Sequence, residues 1–101
     1  MNSMSRQVFK YPIDYTIGPG LHMLSVPVES RFLDAQEQHG QLVLWFLVND
    51  DNPTEIRDFY LLETGKEFPE SGWHYLRTVQ LAKGDYVIHL LTKHRKKGQE
   101  L

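Results

Sequence analysis

The amino-acid sequence predicts a single all-β domain, folded as a small antiparallel sandwich or barrel of six to seven short strands. Its apolar residues either alternate with polar ones or form short continuous runs, which is the pattern of strands. Turn-forming residues interrupt this pattern every eight to fifteen residues, and the length of 101 residues is that of one domain. An α+β fold with one short helix near residues 31–38 is the alternative.

Seven segments carry the strand pattern. They are residues 7–13, 21–28, 31–38, 41–49, 56–63, 74–81 and 85–92. Pro12 and Pro27 have no backbone N–H, so we expect the first two segments to lie at sheet edges. Segment 31–38 also contains helix-favouring residues. However, His39-Gly40 has the composition of a tight hairpin turn, which favours a strand paired with the next segment.

Segment 41–49 is the strongest predicted strand, because both of its faces are apolar. One face carries Leu42, Leu44, Phe46 and Val48, and the other carries Val43, Trp45 and Leu47. A strand of this kind removes both faces from water only when a layer covers each of them. The pattern therefore predicts a central position, covered on both sides, in a sandwich or a closed barrel.

The longest predicted connection is residues 64–73, which contain two glycines, a proline and a serine. Ten residues exceed the roughly 4–6 that are typical of compact domains, and long loops often carry function. Ala82-Lys83-Gly84 has the composition of a short hairpin connection between the last two strands. Residues 1–92 thus form the predicted domain, and the basic segment 93–101 is predicted to be a flexible tail.

Composition and charge argue against several classes of protein. The chain has no cysteine, which removes disulfide frameworks and thiolate zinc sites, and a formal net charge of −2 gives no general attraction to nucleic acid or anionic membranes. Its longest apolar run has seven residues, whereas a membrane-spanning helix needs about 20. With no signal-peptide pattern either, we predict a cytoplasmic location and no membrane partner.

The sequence lacks the motifs of enzymes and metal sites. Its five histidines, at positions 22, 39, 74, 89 and 94, do not have the spacing of metal ligands. No nucleophile motif or facing carboxylate pair is evident, so we predict no catalytic activity, metal or cofactor. His89 shares a strand face with Val87 and Leu91, which predicts a core histidine bonded to a backbone carbonyl.

Charge is unevenly distributed along the chain. Residues 50–70 contain seven acidic residues against two basic ones, and Lys93 to Lys97 carries four positive charges. The predicted acidic surface consists of Asp50, Asp51, Glu55, Glu63, Glu67 and Glu70, together with Asp58. A solvated surface is the simpler interpretation. The functional interpretation is that this surface docks to a basic groove on a host protein, with an affinity that falls steeply as salt increases.

The long loop offers a second candidate site. A hydroxyl, an accessible backbone and positive charges suit a small anionic ligand such as a nucleotide, held between protomers. If the strands on either side of the loop pair, the predicted site consists of Thr64, Gly65, Lys66, Arg57, His74 and Arg77. A simple turn at Thr64-Gly65 is the alternative. A nucleic-acid-binding barrel ranks last: Tyr60, Trp73 and Tyr75 could stack bases, but the chain lacks a basic groove.

A set of spaced residues resembles the pattern of a family of short uncharacterised proteins of tailed phages and prophages. The pattern spans residues 8–92 and consists of Lys10-Tyr11-Pro12, Phe32-Leu33, Gln36, Gln38, Leu42, Leu44-Trp45, Leu47-Val48, Phe59, Thr64-Gly65, Tyr75, Thr78-Val79 and His89. The basic extension after Thr92 and the acidic Glu63 depart from it. The resemblance implies a non-virion accessory protein of a phage or prophage, and it brings no assigned activity.

These observations predict a non-enzymatic accessory protein that acts by binding. The leading expectation is a host protein as partner, with inhibition of a host defence system as one form of that binding. A small anionic nucleotide-type ligand is the alternative, and nucleic acid comes third. The proline-marked edges leave room for a homodimer.

Overall fold

The structure, a computed structural model, describes residues 5–93. They form seven strands: β1 (Gln7–Ile13), β2 (Gly20–Pro27), β3 (Arg31–Gln38), β4 (Gln41–Val48), β5 (Thr54–Glu63), β6 (His74–Leu81) and β7 (Tyr86–Lys93). Two 3-10 turns, Tyr15–Ile17 and Ala82–Gly84, are the helical elements of this part of the chain. The all-β prediction is confirmed. The alternative with a helix near residues 31–38 is not adopted, because those residues form β3.

The strands lie in two antiparallel sheets that pack as a sandwich rather than closing into a barrel. One sheet has three strands in the order β1-β4-β3, and the other has four in the order β2-β5-β7-β6. β5 and β6 follow each other in the chain, but β7 lies between them and is antiparallel to both. β5 and β6 are therefore parallel, and their connection, residues 64–73, must cross β7 to reach the far edge of the sheet. We call these ten residues the crossover.

The core lies between the sheets and is centred on the ring of Phe46. This ring has no exposed surface and contacts three others edge to face, those of Tyr11, Phe32 and Phe59, at centroid distances of 5.6, 5.7 and 5.9 Å. Edge-to-face pairs of this kind add about 0.5–1.5 kcal/mol each to the hydrophobic gain. The guanidinium of Arg57 lies 5.6 Å from the centroid of the same ring. Aromatic side chains from β1, β3, β4 and β5 thus join the two sheets.

The prediction for β4 is correct for one face and wrong for the other. Leu42, Leu44, Phe46 and Val48 face the core and are buried. On the opposite face Val43 is buried, but Trp45 and Leu47 are partly exposed. The residues directly opposite Trp45 are Lys10 on β1 and Asp34 on β3. The aliphatic part of a lysine side chain can cover some of an apolar surface without a second layer.

The edges formed by β3 and β6 are linked by polar contacts. Arg77 on β6 donates from Nε to the carbonyl oxygen of Ala35, at 3.0 Å, and lies 3.0 Å from the carboxylate of Asp34. The carboxylate of Glu37 accepts from the backbone N–H of Ala82 at 3.0 Å and from the Tyr15 hydroxyl at 3.1 Å. These contacts lower the pKa of Glu37, the hydrogen bond from Ala82 most of all.

The chain ends lie largely outside the structure. Lys93, which the sequence analysis assigned to the tail, is the last residue of β7. The rest of the predicted flexible tail, residues 94–101, lies outside the described residues, as do residues 1–4. Within residues 5–93, no helix has the length and hydropathy needed to cross a membrane.

Candidate functional site

The outer face of the four-stranded sheet carries the candidate site. On β7, Ile88 and Leu90 point into the core, so the alternation of a strand places Val87, His89 and Leu91 on the outer face. Leu91 nevertheless has 0% exposed surface. Its burial follows from the topology, because the crossover passes over β7 on this face.

Several contacts hold the crossover against the sheet. The rings of Trp73 and Tyr60 lie edge to face at 5.5 Å, and Lys93 Nζ lies 5.3 Å from the centroid of Trp73. Lys93 also pairs with Glu70 at 3.0 Å. Gly72 has a φ of +101°, and a Cβ at this position would lie 3.2 Å from Cε of Lys93. The positive φ favours a glycine at position 72, and a Cβ there would also displace the Lys93 side chain slightly.

Three hydroxyl groups surround the ring of His89 where the crossover leaves the sheet. The Thr64 Oγ1 lies 2.8 Å from His89 Nε2. On the other side of the ring, Nδ1 lies 2.9 Å from Thr78 Oγ1 and 3.2 Å from the Tyr75 hydroxyl, and these two hydroxyls also contact each other. Thr64, Tyr75 and Thr78 are exposed and His89 is half-buried. We call these four residues the hydroxyl–histidine cluster.

A β-bulge brings Tyr75 and Thr78 to the same face. In a regular strand, residues three apart point to opposite faces. The pairing of β6 with β7 shifts between Tyr75 and Arg77, so that Tyr75 lies opposite Leu91 and Thr78 opposite His89. Both partners are on the outer face, and one extra residue in β6 thus completes the cluster.

The cluster is suited to binding an anion. A histidine and three hydroxyls can satisfy one another, and each hydroxyl also has a rotatable O–H. Nε2 of His89 contacts Thr64 on one side, and Nδ1 contacts Thr78 and Tyr75 on the other. A hydroxyl hydrogen that is not used within the cluster can point to solvent. O–H donors of this kind can donate to an oxygen of a phosphate or carboxylate.

A pocket of about 260 Å³ lies next to the cluster. Its wall includes Tyr60, Leu62 and the Pro19-Gly20 turn, with Lys66 and Glu67 on the crossover side. Leu62 is the register partner of His89, so the pocket and the cluster lie on adjacent strands of one face. Two of the predicted site residues, Thr64 and Lys66, belong to the turn that joins them, in which the Lys66 N–H donates to the Glu63 carbonyl.

The carboxylate next to the cluster in the chain has a partner of its own. Glu63 accepts from the Tyr86 hydroxyl at 2.9 Å, and burial together with this carboxylate raises the pKa of Tyr86. Glu70 is paired with Lys93, which is four residues along β7 from His89, about 13 Å at the rise of a strand.

The structure does not bring together the six residues of the predicted loop site. The prediction depended on pairing between the strands that flank the loop, but β7 separates β5 from β6. Thr64 joins the cluster, and Gly65 and Lys66 follow it in the turn. Arg57 is seven residues along β5 from Thr64, roughly 23 Å at the rise of a strand. It is 5% exposed and bonds to Glu55 and the carbonyl of Ser30.

The other two residues of that prediction also lie elsewhere. His74 is next to Tyr75 in β6, but it lies opposite Thr92, so strand alternation turns its side chain to the other face of the sheet, and it is about 13 Å from Thr78 at the rise of a strand. Arg77 is next to Thr78 in the chain, but its side chain contacts β3 on the other side of the sheet. The bulge explains this position, because it places Arg77 opposite Leu90, a core residue.

The predicted acidic surface is spread along the length of β5. Asp50 and Asp51 lie in the turn before β5, close to Glu55, whereas Glu63 is the last residue of β5 and Glu67 follows it in the crossover. Glu70 pairs with Lys93, which lies opposite Asp58 in the middle of β5. Glu55 and Glu63 are about 26 Å apart at the rise of a strand. Glu55, Glu63 and Glu70 are also engaged by Arg57, Tyr86 and Lys93. The sequence pattern therefore does not produce one acidic face.

The prediction for His89 is right about its face and wrong about its surroundings. His89 does share a face with Val87 and Leu91, but that face is the outer one, and its ring contacts hydroxyls rather than a backbone carbonyl. Tyr75, Thr78 and His89 were not among the predicted site residues. All three belong to the pattern that carries the family resemblance, as does Thr64. Membership of this pattern is the feature of the sequence that could have identified them as site residues.

A family model for a domain of unknown function, DUF7352, matches residues 4–100. The chain belongs to the DUF7352 family. No match to this DUF7352 protein was found among curated proteins or among solved structures. Within residues 5–93, no group of three or more histidine, aspartate or glutamate side chains is arranged to hold a metal ion.

Proposed function

We propose that this DUF7352 domain is a binding module for a small anionic ligand, which it holds at the hydroxyl–histidine cluster. The observation that carries this proposal is the convergence of three hydroxyl side chains, from the crossover and β6, around the imidazole of His89 on β7. The single contact between Thr64 and His89 would be enough to hold the crossover against the sheet. Here the Tyr75 and Thr78 hydroxyls are exposed, and neither of these residues belongs to the crossover.

The surroundings of the cluster support the same function. Lys66 stands in the turn beside Thr64 and adds a positive charge that can approach a bound anion. The carboxylate of Glu63, next to Thr64 in the chain, accepts a hydrogen bond from Tyr86. The four cluster residues are also fixed to strands or to the base of the crossover, which reduces the entropy that binding must overcome.

Inorganic phosphate is the first probe. In thermal unfolding, phosphate at concentrations far above its dissociation constant should raise the Tm of the full chain relative to chloride at equal ionic strength. His89→Gln and Thr78→Val remove one partner each and should abolish the shift. His74→Gln is the matched control, because it makes the same change in the same strand at a side chain that alternation places on the opposite face of the sheet from Tyr75 and Thr78. No phosphate-dependent shift in the unmodified protein, or an equal shift in His89→Gln, would overturn the proposal.

A protein partner is the second candidate function, and one observation favours it. Leu21, Met23 and Ile56 are 55%, 56% and 41% exposed on the outer face where β2 pairs with β5. Contiguous exposed apolar residues are typical of protein interaction sites. Under this second candidate, the domain is an accessory protein of a phage or prophage, and its partner is a host protein.

Because the acidic residues are separated, the second candidate function rests on apolar contact with the partner and not on an acidic docking surface. An apolar contact tolerates salt, whereas an acidic docking surface does not. Capture of a specific host protein by the immobilised chain at both low and high salt, and its loss in Leu21→Lys, would support a partner at this surface. Capture that disappears at high salt and is unaffected by Leu21→Lys would count against it.

A further inference from the structure

We propose that the pocket beside the hydroxyl–histidine cluster binds the base of a nucleotide, so that the ligand is a nucleoside monophosphate with its phosphate at His89. This inference rests on the proposed anion site and adds the chemical class of the ligand. It is carried by a second feature, the pocket of about 260 Å³, which the anion site itself does not use.

The spacing of the strands that carry the two sites is compatible with a nucleotide. Leu62, in the wall of the pocket, is the register partner of His89, and paired strands are about 5 Å apart. Thr64 contacts His89 while Lys66, two residues later, lines the pocket. A ligand with its phosphate on the cluster therefore reaches the nearest wall of the pocket, at Leu62, across about one strand spacing. A ribose spans an interval of this order between a 5′-phosphate and a base.

The lining of the pocket suits a flat, partly polar ring. Tyr60, Leu62 and Pro19 provide apolar and aromatic contact, and aromatic side chains are common stacking platforms for bases. The volume lies just under the roughly 300–1,000 Å³ of most small-molecule sites. It is large enough for one nucleoside and too small for a dinucleotide enclosed at both ends.

Charged groups at the rim indicate which bases should bind best. Glu67 lies on the crossover side of the pocket together with Lys66. A carboxylate only accepts hydrogen bonds, so Glu67 favours a base that presents N–H groups at its edge. Guanine presents two adjacent N–H donors, which a carboxylate can accept in parallel, as it does from arginine. We therefore expect guanosine monophosphate to bind more tightly than uridine monophosphate.

Isothermal titration of the full chain with guanosine monophosphate, uridine monophosphate, ribose 5-phosphate and inorganic phosphate tests the inference. Guanosine monophosphate should bind about tenfold or more tightly than ribose 5-phosphate, which is the order of one base stacked on an aromatic side chain. Glu67→Gln should remove the preference for guanosine over uridine monophosphate and leave ribose 5-phosphate binding unchanged. Glu70→Gln is the matched control: it makes the same charge change on the crossover, but Glu70 contacts Lys93 instead.

The possible results separate the two proposals. Equal affinity for guanosine monophosphate and ribose 5-phosphate would overturn the base pocket and leave the anion site standing. A preference for guanosine monophosphate that persists in Glu67→Gln would overturn the assignment of Glu67 and of the base to this pocket. Nucleotide binding that is unchanged in His89→Gln would overturn both proposals, as would the absence of binding by all four probes.

Discussion

The burial of Leu91 tests whether the crossover is a packed layer of the sandwich. Leu91→Ala removes three carbon atoms from a fully buried side chain, which costs about 2.4 kcal/mol in transfer free energy at 0.8 kcal/mol per carbon. The cavity left behind brings the expected loss to about 3–4 kcal/mol. Leu21→Ala makes the same change on the same sheet face at a side chain that is 55% exposed, and we expect it to cost about 1 kcal/mol.

Urea unfolding measures this difference. With an m-value of about 1.5 kcal/mol/M, Leu91→Ala should lower the midpoint by about 2 M, and Leu21→Ala by well under 1 M. Both variants should remain folded, because domains of this size have about 5–15 kcal/mol of stability. If Leu91→Ala costs no more than Leu21→Ala, the crossover does not cover β7 in solution. The arrangement of Thr64 beside His89 would then lose its structural support.

Three further predictions concern other parts of the fold. Arg57→Leu should cost about 1–3 kcal/mol in urea unfolding, because the buried carbonyl of Ser30 loses its donor, and it should leave the phosphate-induced Tm shift unchanged. Gly72→Ala should destabilise the domain by about 1 kcal/mol or more, through its positive φ and its contact with Lys93, whereas Ser71→Ala, used as the control, should not. The pKa of Glu37 is lowered in the folded state, so its contribution is present at neutral pH and is lost as pH falls through that pKa. The difference in urea midpoint between the unmodified protein and Glu37→Gln should accordingly shrink on acidification, and a constant difference would contradict this assignment.

The fold could be predicted from the sequence because its strands carry strong local signals. The predicted bounds are correct for β1, β3 and β6. Each of the other four strands begins or ends one or two residues away from its predicted bounds. The turn at His39-Gly40 has positive φ at both residues, as its composition suggested. What local patterns do not contain is the order of strands in a sheet. Nothing in residues 74–81 indicates that β7 lies between them and β5.

The site could be predicted only in part, for the same reason. Thr64, Gly65 and Lys66 follow from the length and composition of the loop, since long connections stand out locally. Tyr75 and Thr78 share a face only because β6 has a bulge, and an alternating pattern places them on opposite faces. His89 lies in a strand whose two faces are both apolar, so the pattern could not show which one faces the core. Its neighbour Leu91 is buried by the crossover rather than by the other sheet.

Strand order also explains why the cluster and the pocket lie where they do. A hairpin between β5 and β6 would have left the outer face of the sheet open and would have sent Thr64 directly into a tight turn. With β7 inserted between them, the connection must cross the sheet, and its first residues lie over the boundary between β5 and β7. That boundary separates Leu62 from His89, so one turn of the chain borders an apolar pocket on one strand and a polar cluster on the next. The strand order thereby places an apolar pocket and a polar cluster side by side, which is the arrangement that the proposed ligand, with its charged group and its ring, requires.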